Sequence, residues 1–380
     1  MMKNIHILFC LLLLSLSIGA QDKKNDTLAT YLCNEGMAPD DYLISKFNDA
    51  DIILLGEDHG VRENLDFVRS LIPKLYQKGV YMLGMEFGAF EDQDKLDFLI
   101  NAPEYNEQLA RELMFNYNTR WAIVEYMSIY KAAWEWNRSL PKQAKKFRVL
   151  NISYCYNWSE FEGTRTPENM EKVFPLGNTE EFRCSLLERE VLALNQKILV
   201  LTGTPHAFTF YHFPLYDYTS PGFVRYEERF LGNLLYSKYG KRVLSVALHQ
   251  PFPNYPNHQP ALISPVAGGL EVLICKANNK AVGFDLKNAP LGELNDNSYY
   301  SMGYTNLTLA DLFDGYIFIK PIKELSSCSI DYKFMDETNW ERAIINNPDP
   351  DWHPRPQSKE QYWAVVENYM NIGKRYAEVE

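Results

Sequence analysis

The stretch DIILLGEDHG, residues 51–60, decides the fold. Its first six residues, Asp51 to Gly56, form a short apolar run closed by glycine, the pattern of a strand buried on both faces. Its last four, Glu57-Asp58-His59-Gly60, place ionisable groups directly behind that strand. From Val61 the pattern changes. Val61, Leu65, Val68, Leu71, Ile72 and Leu75 follow helical spacing up to about Lys78. A second apolar run, VYMLGME at 80–86, comes next. Strand, helix, strand in this order is a βαβ unit.

The alternation continues along the chain. Helical patterns cover about 91–100, 104–116 and 120–137, and KFRVLNI at 146–152 reads as a third strand. A helix at about 179–195 precedes KILVL at 197–201, and a helix near 225–239 precedes RVLSVAL at 242–248. AVGFDL at 281–286 and GYIFI at 315–319 read as further strands, and 359–377 as a closing helix. The expected fold class is α/β: a mostly parallel sheet flanked by helices on both faces, with helical insertions between the second and third strands. The proline-rich stretches 251–265 and 348–356 read as loops, because proline fixes φ and has no backbone N–H to donate.

The beginning of the chain reads differently. Lys3 is followed by an almost wholly apolar run from Ile7 to Ile18, then by the small residues Ser17, Gly19 and Ala20. That order is a secretory signal peptide, with cleavage expected after Ala20. The run is shorter than the ~20 residues a membrane-spanning helix needs. Its one cysteine, Cys10, lies inside the run, and none follows the small residues, which argues against a lipid anchor. The expected product is periplasmic or secreted, with no transmembrane segment in the mature chain. Residues 21–45 are polar and read as a tether, and 46–380 as a single domain.

A net charge of −11 disfavours nucleic acid and acidic lipid as partners, since phosphate binding needs clustered Lys and Arg. A hydrophobic content of 46% is ample for a packed core. The cysteines beyond the signal, Cys33, Cys155, Cys184, Cys275 and Cys328, are scattered and form no CxxC pair. A zinc cluster or a thioredoxin-like site is therefore disfavoured, while an oxidising compartment would permit one or two disulfides.

Polar residues gather just behind the strands. Glu57, Asp58 and His59 follow the first, Glu86 ends the second, Asn151 the third, His206 follows the fourth and His249 the fifth. In a parallel sheet these ends share one edge, where ligands of open α/β sheets bind. Two His and two Glu converging there make a general acid/base set or a metal site. Arg62 and Glu63 begin the next helix, where Arg62 can hold an anion or orient Glu57. Asp58 reads as a turn residue, and His212, His258 and His353 as exposed loop residues. The aromatic clusters at 208–211 and 216–218 read as pocket wall or as packing. No GxSxG elbow, HExxH helix, Walker loop or dinucleotide fingerprint is present.

Taken in order, ILLGEDHGVRE, LGMEFG and LVLTGTPHAF resemble the superfamily of erythromycin esterases, ChaN-like haem-binding proteins and Tiki proteases. RWAIVEYMSIYKAAWEWNR, FLGNLLYSKYGKRVLSVAL and TLADLFDGYIFI extend the resemblance over about 50–320. The esterase motifs map onto Glu57, His59, Arg62, Glu63, Glu86 and His206. The resemblance implies a hydrolase of an ester, lactone or amide in a small molecule or peptide. His59 or His206 would activate water, Glu57 and Glu86 would orient the imidazoles, and Arg62 would face the oxyanion. The Tiki branch implies a divalent ion such as Zn, Mn or Co held by Glu57, His59, Glu86 and His206. The tight spacing of Glu57-Asp58-His59 is that of the ChaN-like branch, which implies, as an alternative, haem or ligand binding without catalysis. His206 stands alone in Thr-Pro-His, where the esterases carry a second nearby histidine.

Overall fold

The computed structural model describes residues 22–217, 222–255 and 261–379. The signal-peptide reading at 1–20, and with it Cys10, lies outside them, as do Tyr218 and His258. The strands are β1 (Ile52–Glu57), β2 (Met82–Ala89), β3 (Arg148–Ser153), β4 (Ile198–Gly203), β5 (Phe213–Asp217) and β6 (Gly222–Glu227). They continue with β7 (Val243–Leu248), β8 (Phe252–Asn254), β9 (Ala261–Ile263), β10 (Val282–Asp285) and β11 (Gly315–Phe318). Seven of them form one sheet in the order β10-β11-β7-β1-β4-β2-β3. Neighbours run parallel except β10, which is antiparallel to β11. All seven are the strands expected from the apolar runs.

β1 lies in the middle, hydrogen-bonded to β4 and β7, so all six of its residues are buried. Its side chains alternate between two cores, as pleating requires. Ile53 and Leu55 pack with Leu65, Val68 and Leu71 of the Arg62–Lys78 helix, and with Tyr126 and Ile129 of the Val124–Ser139 helix. Ile52 and Leu54 pack on the opposite face with Cys184 and Leu187 of the Thr179–Glu190 helix and Leu231 and Leu235 of the Leu231–Tyr239 helix. Each fully buried Leu or Ile here contributes roughly 1.5–3 kcal/mol. Helices therefore cover both faces, as expected for an α/β sheet.

Several expectations are corrected. Residues 22–35 form a helix rather than a tether, and a second helix, Pro39–Lys46, follows. Leu28 and Leu32 are buried in a core shared with Leu270, Phe284 and Phe318, which a spacing of four residues on one helical face allows. The expected helix near 225–239 is shorter. Residues 222–227 pair with β5 as a hairpin, and the helix begins only at Leu231. Part of the proline-rich stretch 251–265 forms the small β8–β9 ribbon. The expected closing helix breaks at Asn371 into Lys359–Met370 and Ile372–Arg375. The five described cysteines are unpaired. No helix among the described residues is long and apolar enough to cross a membrane.

Candidate active site

Strand alternation decides what each site residue faces. Glu57 continues the Ile53–Leu55 side of β1, the side covered by the Val124–Ser139 helix. Tyr126 of that helix donates to Glu57 Oε1 at 2.5 Å. The same oxygen meets His59 Nδ1 at 3.2 Å. Glu86 lies on the other side of the sheet. There β2 leaves its ladder with β3 between Met85 and Ala89, a bulge that re-aims side chains. Gly88 sits in the bulge because a Cβ there would fall 2.0 Å from Asn151 Oδ1. Arg183, from the helix covering this side, donates to Glu86 Oε1 at 3.1 Å.

Two Glu–His pairs result, and they differ in chemistry. His206 Nε2 lies 3.3 Å from Glu86 Oε1, and its Nδ1 lies 3.0 Å from Glu180 Oε2. Burial opposes charge on His206 and Arg183 repels it, but Glu86 and Glu180 outweigh both and raise its pKa to about 9. Both ring nitrogens are thus committed, and the ring is a cation at neutral pH. Burial also opposes charge on Glu86, yet His206 and Arg183 hold its carboxyl well below the usual range. Its second oxygen accepts from Thr202 Oγ1 at 2.6 Å and from Gly203 N–H at 2.8 Å. Glu86 is fully satisfied and anionic.

His59 has its Nδ1 on Glu57 and its side chain 23% exposed. Its ring packs edge-on against Phe87 and Trp121. Burial works against charge on His59, but the hydrogen bond and charge of Glu57 prevail and raise its pKa above 6.5. Glu57 is itself pushed up, by burial, against the pull of His59 and Tyr126. The two face each other through this contact and titrate as a unit. Among the described residues His59 is engaged with a side chain through Nδ1. Two buried polar atoms beside the ring, Glu57 Oε2 and Trp121 Nε1, find no partner among the described residues. Buried polar groups are rarely left so.

Gly203 separates the two pairs. A Cβ at Gly203 would lie 3.0 Å from His59 Cε1, tighter than ordinary contact, so a side chain here would press on the His59 ring, while His206 Cδ2 at 3.5 Å would merely be touched.

The four residues marked in the sequence therefore converge. Arg62 does not join them: it bonds Ser329 Oγ at 3.0 Å and pairs with Glu125, with its side chain 44% exposed. Glu63 anchors Ser326 and Lys320. Asn151 is buried between Tyr130 and the Ala89 carbonyl, a structural role. His249 is buried between Tyr316 and Glu271 and is held below its usual pKa by burial. Phe208 and Tyr211 pack into the second core rather than lining a pocket. Reading the sequence missed Tyr126, Glu180 and Arg183. Arg183 alone left a signal, as a charge beside Cys184, Leu186 and Leu187 on the buried side of its helix.

Glu86 and His206 are committed to each other, and among the described residues no group of three or more ligating side chains is placed to hold one metal ion. A haem iron would find one site imidazole nitrogen not already against a carboxylate among the described residues, His59 Nε2.

No protein-family model and no curated protein matches the chain. Solved structures do. A protein from Bacillus cereus aligns over 80% of this chain and 99% of its own at 15% identity, with a TM-score of 0.50. A succinoglycan biosynthesis protein aligns over 80% and 98% at 13% identity, with a TM-score of 0.52. A mutant of the erythromycin esterase EreC in its open conformation aligns over 78% and 95% at 11% identity, with a TM-score of 0.51. The chain shares its fold with these structures. The sheet accounts for the clustering, because it sets β1, β4 and β2 side by side with their carboxyl ends on one edge.

Proposed function

We propose that this protein is a hydrolase in which the Glu57–His59 pair activates water against an ester, lactone or amide carbonyl. One observation carries the reading. Of the two site histidines, only His59 keeps a nitrogen free, and a buried carboxylate holds the other. That is the arrangement of a general base with its orienting group. His59 Nε2 takes a proton from water as the oxygen attacks the carbonyl carbon. The imidazolium so formed is stabilised by Glu57, whose charge Tyr126 supports. The same proton then passes to the leaving oxygen or nitrogen as the acyl bond breaks. His206 has no free nitrogen for this work. It fixes Glu86, which holds Gly203 between the rings.

The test is turnover of a panel of esters, lactones and amides by wild type and His59→Ala, with and without chelator. The substitution is expected to lower kcat/KM by about 10²–10⁴-fold, and chelator to change nothing. Equal activity in both proteins would refute the assignment. We also place the mature protein outside the cytoplasm, on the strength of residues 1–20. Sequencing of its N-terminus, expected at Gln21, checks this.

A further inference from the structure

His59 stands two residues beyond the rigid end of β1, in a turn. A general base has to be held within about 0.5 Å of its working position, and turns alone do not hold groups that well. The turn is gripped from far along the chain. Arg375 Nη1 donates to the His59 carbonyl at 2.8 Å. Arg375 Nη2 reaches both oxygens of Asp58, and Tyr376 Oη donates to one of them at 2.5 Å. Asp58 is thus more than a turn residue. Cys328 N–H bonds the Gly60 carbonyl at 2.9 Å, and Ile372 N–H bonds Ser327 Oγ at 2.9 Å. Val61, Leu325, Ile372 and Tyr376 pack together beneath these bonds.

We propose that Arg375 is a positioning residue for His59. Its guanidinium holds the Asp58 carboxylate and the His59 carbonyl together, and so sets the direction of the imidazole without touching the reacting atoms. The fork matters as well as the charge, because an ammonium cannot bond several oxygens in one plane. The rate consequence rests on the hydrolase reading; the effect on the turn does not.

The experiment uses the full chain with Arg375→Gln and Arg375→Lys. Amide hydrogen exchange is followed at His59, Gly60 and Val61, with Leu71 to Leu75 as the control, beside kcat, KM and thermal melting. In Arg375→Gln the turn amides are expected to exchange about tenfold faster while the control is unchanged. The kcat is expected to fall about 10–100-fold with KM within threefold, since misplacement by ~1 Å costs that much. Arg375→Lys is expected to fall between the two. Unchanged exchange in the turn would overturn the proposal, as would faster exchange with unchanged kcat. If wild type turns over nothing on the panel, the hydrolase reading fails alone, and exchange still decides whether Arg375 fixes the turn.

Discussion

Replacing Glu86 with glutamine exposes how the buried charges are arranged. Glu86 receives four donors. Arg183 and His206 address Oε1, and Thr202 and Gly203 N–H address Oε2. A glutamine has one oxygen and one NH₂, so either orientation turns the NH₂ against two donors. The change also leaves two buried cations, Arg183 and His206, with Glu180 as their remaining anion. Breaking a buried pair in this way costs about 3–5 kcal/mol. Glu86→Gln is therefore expected to lower Tm by about 5–10 °C. His206 loses the larger of its two stabilising charges, and its pKa is expected to fall from about 9 toward 6.5. Thermal melting and NMR titration of the His206 ring read both effects. A Tm within 2 °C of wild type, or His206 still titrating near 9, would refute the reasoning.

Glu57→Gln is expected to behave in the opposite way. Its oxygen keeps Tyr126 and His59, and its NH₂ takes the place of Oε2, which has no partner to offend. Melting should change little, while kcat/KM falls by about 10²–10⁴-fold, because the His59 cation loses its counter-charge. Stability should also depend on pH. His206 is raised to about 9 when folded and ordinarily stands at 6.5, which is worth roughly 3 kcal/mol. That stabilisation is complete below pH 6.5 and lost as pH rises through 9. Glu86 and Glu180 are lowered from 4.5, so their contribution is present above pH 4.5 and lost as pH falls further. Denaturant midpoints should therefore be highest between about pH 4.5 and 6.5; a midpoint that climbs from pH 6.5 to 9 would contradict the network.

The sheet was legible because its strands are short apolar runs, each closed by a polar residue where it leaves the core. Glu57, His59, Glu86 and His206 were legible for the same reason: topology brings strand ends together whatever their distance in sequence. Partnership was not legible. Alternation sends Glu57 and Glu86 to opposite faces, but the groups waiting there, Tyr126 and Arg183, come from helices whose rotation no spacing specifies. Arg62 misled because it is adjacent in sequence. The guanidinium that reaches the turn is Arg375, and nothing local marks it. The helix at 22–35 was missed because only Leu28, Ala29 and Leu32 of its residues are deeply buried, too few to stand out among polar neighbours.

The grip of Arg375 on the His59 turn carries a consequence in time. The bond between them spans 316 residues of chain. At synthesis rates of about 5–20 residues per second, His59 is made roughly 15–60 s before the side chain that orients it. Throughout that interval the growing polypeptide has its base but not its aim. Whatever the strands have already assembled, the finished site waits on a late arrival, so a chain interrupted before Arg375 would carry the histidine without the group that aims it.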